Sequence, residues 1–257
     1  MLADWLIPRW PVASNVRAVC TSRIGGRSTG HYDSMNLGDH VGDHVLNVGA
    51  NRAILHNAIL AKPVFLAQVH GTQVVALDNS THHGTQADGC LTRQRALACT
   101  VMVADCLPVL FANDEGTVVA AAHAGWRGLA GQGGTGILET TVRQLLAQAP
   151  HGQKAGKLMA WLGPCIGPRQ FEVGDDVHHT FVAAHAAAAA MFKPKASGKW
   201  LADLPGLARQ RLIQLGITQI YGNDGSEAWC TVSNPSRFSS HRRDRVSGRM
   251  AACIWLK

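Results

Sequence analysis

Short β-prone runs closed by glycine or proline turns recur along the chain, and a few longer stretches with helical spacing interrupt them. The apolar runs predict strands at Val16–Ser22, Val64–Val69, Thr72–Leu77, Leu158–Leu162, Ile217–Tyr221 and Ala251–Leu256. Helical spacing predicts Val45–Leu60, with Ile54, Leu55, Ala58 and Ile59 inward, and Thr135–Gln148. It also predicts Asp176–Phe192, with carboxylates at its positive end, and Leu201–Leu215, stopped by Gly216. Tyr32–Asp43, Asp78–Gln86 and Lys193–Lys199 read as loops, and Gly163–Pro168 as a rigid one. No long linker or repeat divides these elements, so residues 1–257 are expected to form one domain.

The most informative stretch is Cys99–Gly128. Two apolar runs flank Asn113-Asp114-Glu115-Gly116, a strong hairpin signal. Pairing Asn113 with Gly116 sets Cys106 directly opposite His123 on one sheet face, with Cβ atoms about 5 Å apart. One zinc ion can take both, because it binds a thiolate at about 2.3 Å and an imidazole at about 2.0–2.1 Å. Pro108 interrupts the first strand and suggests an edge or a bulge. His70, closing the Val64–Val69 run before Gly71, is the expected third ligand. Three protein ligands leave a tetrahedral position open, which is the mark of a catalytic metal. The competing reading is a small buried thiol beside a hydrogen-bonded imidazole.

Composition narrows the classes. With 257 residues, 46% hydrophobic and 16% charged, the chain is globular. No apolar run reaches the roughly 18 residues of a membrane span, and MLADWLIPRWP lacks a basic leader and cleavage site. Seven cysteines, odd in number and without a CxxC, fit reduced thiols, and a cytoplasmic location is expected. The net charge of +7 raises nucleic acid as a partner. However, the only dense basic run is Arg237–Arg249, without an RNA-stacking or DNA-reading motif, so a solvated face or a small anion pocket is expected instead. Arg23, before Gly25-Gly26, could reach an anion or cap a strand end, and Arg52 falls mid-helix, where facing solvent is the default. Gly131, Gly133 and Gly136 formally match GxGxxG. No acidic residue stands about twenty positions on to hold a ribose, so dinucleotide binding is set aside.

In order along the chain, the segments TSRIGG (Thr21–Gly26), NLGDH (Asn36–His40), QVHG (Gln68–Gly71), ADCLPVLF (Ala104–Phe111), AAHAGWRG (Ala121–Gly128), LGPCIGP (Leu162–Pro168), FEVG (Phe171–Gly174) and HRRD…GRMA (His241–Ala251) resemble the YfiH or laccase-domain family. The resemblance implies an α+β fold, a single layered domain of mixed β-sheets flanked by helices. It implies a metal held by His70, Cys106 and His123, with Zn2+ expected and Cu2+ an alternative. It further implies phosphorolysis of purine nucleosides (adenosine, inosine, methylthioadenosine) and hydrolytic deamination of adenosine. The implied partners are a small nucleoside and phosphate, with the chain a monomer or homodimer. Asp105, Asp88 or a water would supply protons. Arg52, Arg23, Arg127 and Arg242 are the phosphate-clamp candidates, Arg52 first, since arginine suits bidentate phosphate contact. Gln68 would contact the base or support the metal, and Asn36 is a further substrate contact.

The sequence departs from the family pattern in two places. Only Phe238 remains of an aromatic pair before Ser-x-Arg-Arg, where His241 takes the x position, and Gly49-Ala50 replaces an acidic pair before Asn51-Arg52. Competing readings are a copper polyphenol oxidase, a cysteine hydrolase with Cys106 as nucleophile and His123 as base (which would fit editing of peptidoglycan precursors), and a non-catalytic module with a structural metal. Thirteen histidines without one His-x-His pair weigh against a multicopper cluster.

Overall fold

The computed structural model describes residues 4–148 and 157–257. The strands are β1 (Val16–Cys20), β2 (Lys62–Phe65), β3 (Val74–Ala76), β4 (Gly89–Thr92), β5 (Leu97–Val103), β6 (Leu107–Asn113), β7 (Val119–Ala124), β8 (Leu158–Leu162), β9 (Glu172–Gly174), β10 (Phe192–Ala196), β11 (Lys199–Ala202), β12 (Gln219–Gly222) and β13 (Met250–Leu256). The helices are α1 (Val45–Ile59), α2 (Trp126–Ala130), α3 (Ile137–Ala147), α4 (Asp175–Ala184), α5 (Leu204–Gln214) and α6 (His241–Asp244).

Three mixed or antiparallel sheets result. One runs β1-β13-β5-β2, a second β12-β8-β6-β7-β4-β3, and a small third β10-β11-β9. The period of two along each strand decides how they stack. In β5, Leu97, Cys99 and Val101 face Leu110, Ala112, Val119 and Ala121 of the second sheet, while Ala98 and Met102 face Leu55 and Ile59 of α1. On the far side of the second sheet, Val109, Phe111, Ala120 and Ala122 pack against Leu138, Val142, Leu145, Leu207 and Leu212 of α3 and α5. The order of layers is helix, sheet, sheet, helices. Strands buried on both faces explain why β5 and β6 read as unbroken apolar runs.

That continuity hides a corner. The sequence suggests one strand leading into the hairpin, but the chain breaks at Ala104-Asp105-Cys106, where Asp105 has φ 89°. β5 belongs to the first sheet and β6 to the second. The hairpin register also differs from the expected one. Ala112 pairs with Val119 and Pro108 with His123, so Cys106 stands two positions beyond His123's partner. The cause is Asn113. Its Oδ1 accepts from the backbone of Thr117 (2.9 Å) and Val118 (3.2 Å), which makes a four-residue loop in place of a two-residue turn. A shift of two leaves every side chain on its original face.

Pro108 marks neither an edge nor a bulge. β6 is interior, and Gly163 N still donates to the Pro108 carbonyl (2.9 Å); the return bond that proline cannot give is replaced by Asn223 Nδ2, which donates to the Gly163 carbonyl (2.9 Å). Asn113→Ala should lower stability by about 1–2 kcal/mol, because two backbone donors lose a buried acceptor. A fall in the urea midpoint at constant slope would show this.

Other elements depart from expectation. The Val64–Val69 run is strand only to Phe65, and His70 sits in a bend with φ 60°. Lys193–Lys199 is not a loop but a hairpin, β10 paired with β11. The long helix over 176–192 ends at Ala184 and continues as a 3-10 turn, Ala186–Met191. The Gly131–Gly136 loop does not shape a nucleotide cradle. A Cβ at Gly131 would run into the carbonyl of Thr135, and one at Gly136 into that of Leu129. These glycines close the α2–α3 connection on itself.

Candidate metal centre and basic cavity

Three chain segments meet where the two large sheets open. Cys106 follows the Asp105 corner, His123 stands near the end of β7, and His70 leans in from the bend after β2. Their ligand atoms all lie within 4.8 Å of one another, and Cys106 Sγ is 3.6 Å from His70 Nε2. A tetrahedral ion with the usual zinc–sulfur and zinc–nitrogen lengths places sulfur and nitrogen about 3.6 Å apart. The residues therefore fit a zinc-sized ion with a Cys-His-His donor set. Gly125 is the condition for this approach, since a Cβ there would stand 2.8 Å from His70 Cδ2 and 2.9 Å from Cys106 Sγ.

Asp88, fully buried before β4, organises the group. Its Oδ1 accepts from His123 Nδ1 (2.8 Å) and His70 N (2.9 Å). Its Oδ2 accepts from Gly71 N (2.7 Å) and Val69 N (3.1 Å). One carboxylate thus holds the bend that carries His70 and turns Nε2 of His123 toward the sulfur. Burial alone would push Asp88 up, but His123 and these backbone donors hold it below the usual carboxylate range. It is an ionised acceptor rather than a proton donor, contrary to one expectation. In the metal-free protein, burial penalises the Cys106 thiolate, yet His123 and His70 outweigh this and lower the thiol to about 6. Burial likewise opposes charge on His123, but the Cys106 sulfur and Asp88 raise it to about 9. A thiolate is the form a metal takes.

A cavity of about 410 Å³ opens over the three residues, within the range for small-molecule sites. Met102, Trp126, Ile166, Phe171 and Leu204 give it apolar and aromatic walls, and Arg127, Arg242, Arg245 and Arg249 give it charge. Asp105 also lines it, but Thr231 Oγ1 donates to Oδ1 (2.5 Å) and the Arg242 backbone N–H to Oδ2 (2.6 Å). Gln68 faces the cavity with its amide tied to Met102, donating to the carbonyl (2.9 Å) and accepting from the N–H (2.7 Å).

Three expected substrate contacts lie outside this lining. Arg52 pairs with Asp39 (3.1 Å), donates to Leu37 O (3.0 Å) and stacks on Phe65. Arg23 donates to Asp33 O and Pro235 O, at a strand end. Asn36 is buried beneath Arg249. Arg245, Arg249, His40 and His241 were not singled out as site residues from the sequence, although the basic run Arg237–Arg249 held three of them and left an anion pocket open as a reading.

The fold thus carries a His-Cys-His group that could hold a metal ion. A family model described as multi-copper polyphenol oxidoreductase laccase matches residues 17–257, and the chain belongs to that family. It is 46% identical to the purine nucleoside phosphorylase YfiH of Escherichia coli, over 99% of this chain and 100% of that one. A Pseudomonas aeruginosa protein named purine nucleoside phosphorylase is 46% identical over 98% of each chain. Among solved structures, a Neisseria meningitidis protein superposes with TM-score 0.89 at 42% identity, over 99% of both chains. YlmD from Geobacillus stearothermophilus gives 0.85 at 28% identity, over 100% of this chain and 97% of that one. Among the described residues no helix is long and apolar enough to cross a membrane.

Proposed function

We propose that the chain is a zinc-dependent purine nucleoside phosphorylase acting on adenosine, inosine and methylthioadenosine, with adenosine deamination as a second activity of the same pocket. The observation that carries this is the convergence of His70, Cys106 and His123 on a cavity whose other lining residues include the rings of Trp126 and Phe171 and four arginines. The names of the Escherichia coli and Pseudomonas aeruginosa relatives support it. A purine is flat and apolar on its faces, which suits Trp126 and Phe171. Phosphate is dianionic, which suits the arginines.

In phosphorolysis a phosphate oxygen bonds to ribose C1′ while the C1′–N9 bond breaks, and its electron pair leaves with the base. The arginines would hold the nucleophile and offset its charge. The aromatic walls would fix the base and exclude water. His70, Cys106 and His123 would hold the zinc ion, which when bound supplies Lewis-acid stabilisation of developing negative charge. Among the described residues these three form one donor group, so a trinuclear copper cluster finds no second set of histidines.

Inosine incubated with the purified protein should yield hypoxanthine and ribose 1-phosphate only when phosphate is added, as read by product mass. Release independent of phosphate, or none, would defeat the phosphorylase reading.

A second reading draws on the Cys106–His123–Asp88 alignment, which also suits a nucleophilic thiolate with an oriented base. Alkylation of Cys106 separates the two. A ligand is protected by zinc and becomes reactive on chelation, whereas a free nucleophile reacts in either state.

A further inference from the structure

Arg249 differs from the other cavity arginines in how it is held. It ends the α6–β13 connection, half-buried, and its backbone is locked to the loop before α1. Arg249 N donates to Asn36 Oδ1 (2.8 Å), and Leu37 N donates back to Arg249 O (3.0 Å). Asn36 is itself buried and fixed from below. Its Nδ2 donates to Asp43 Oδ2 (2.8 Å) and its carbonyl accepts from Asn51 Nδ2 (2.8 Å). The aliphatic stem of Arg249 lies on Gly38, where a Cβ would come within 2.7 Å of Cγ. The distant segments Asn36–Gly38 and Gly248–Arg249 therefore act together as a pedestal for one guanidinium.

That guanidinium makes no ion pair among the described residues, although the Cys106 sulfur and the Asp105 carboxylate act on it through space. Nη1 donates to the Ser247 and Gly248 carbonyls and to the Ser247 hydroxyl. Among the described residues neither Nε nor Nη2 has an acceptor and no carboxylate pairs with Arg249. The neighbouring Asp105 has both oxygens engaged. Arg245, the next charge on the wall, holds a left-handed backbone with φ 62° and has no side-chain partner among the described residues. Strain of that kind in a non-glycine residue persists where the surroundings impose it. A half-buried, well-anchored and unpaired guanidinium beside other cations calls for an anion with several acceptor oxygens.

We propose that Arg249 anchors a phosphate group in this cavity and that Asn36 is its positioning residue rather than a substrate contact. The proposal rests on the phosphorylase reading only for which phosphate is bound. It could be free inorganic phosphate or a phosphomonoester carried on the nucleoside.

Calorimetric titration tests this on the full-length protein with Arg249→Met, which keeps the stem on Gly38 and removes the charge. Inorganic phosphate should bind about 10- to 100-fold more weakly, as for loss of a charge-assisted contact. The KM for phosphate should rise in step, while the KM for inosine should move less than about twofold. Arg249→Lys should recover part of the loss, and Asn36→Ala should shift phosphate affinity the same way with zinc content unchanged. Inosine 5′-monophosphate separates the two sources. If the variant loses affinity for inorganic phosphate, the anchored group is the co-substrate. If it loses affinity for the monophosphate alone, the group is a phosphomonoester. Unchanged affinity for both anions overturns the proposal, whether or not inosine is cleaved. A wild type that binds phosphate through Arg249 but leaves inosine intact defeats the functional reading alone.

Discussion

Cys106→Ala should yield a folded protein that retains little zinc and has lost more than about a hundredfold in turnover, the upper end of what removing an outer partner of a metal ligand costs. The expectation follows from the donor set. Three side chains gather here, and the sulfur is the one that carries a full negative charge into the site, its thiol lowered to about 6. Alanine leaves two imidazoles and no anionic ligand, and it removes the sulfur that does most to raise His123 against its burial. Folding should survive, because Cys106 lies at the cavity wall and only flanks the small cluster of Val103, Phe238 and Met250, while the larger cores pack through other residues. Metal analysis by mass spectrometry on protein purified without chelator gives the stoichiometry, and far-ultraviolet dichroism checks the fold. Cys106→Ser is the companion variant, since a hydroxyl keeps the size and loses the soft ligand. Near-stoichiometric zinc and full activity in both variants would remove Cys106 from the site.

How much of this was legible beforehand depends on the kind of contact. The strands β8 and β13 and helix α1 followed from apolar spacing to within a residue or two, because burial imposes the period directly. The pairing of Cys106 with His123 is not the observed one, since His123 pairs with Pro108, but Cys106, in the corner just before β6, still comes to the same metal-ligand group. The Asp105 corner was invisible because Leu97–Asn113 is apolar on both sides of it, and apolar spacing does not report a change of sheet. His70 follows from its place at the end of the Val64–Val69 run, and resemblance of the ADCLP segment to a family brings Asp105 into view. The resemblance could not rank the arginines. Arg52 and Arg249 are equally long and charged, and what separates them is whether a carboxylate lies within reach. Asp39 neutralises Arg52, while Arg249 has no carboxylate partner among the described residues.

Asp88→Asn should weaken zinc binding by about 10- to 100-fold, with turnover restored by added metal. The substitution is nearly isosteric, so the effect isolates hydrogen-bond polarity. The carboxylate receives four donors, two on each oxygen. An amide offers one oxygen, so its NH2 must face either the Val69 and Gly71 N–H groups or the His123 Nδ1–H and His70 N–H. In the first case the bend carrying His70 is repelled; in the second, His123 is driven to the tautomer that points a proton at the sulfur. Either outcome turns one imidazole away from the geometry a metal needs. Competition with a calibrated chelator gives the affinity, and the zinc dependence of inosine cleavage gives the rescue. A purely structural role would lower the melting temperature and leave the zinc affinity of the folded fraction at the wild-type value, and that result would separate Asp88 from the metal site.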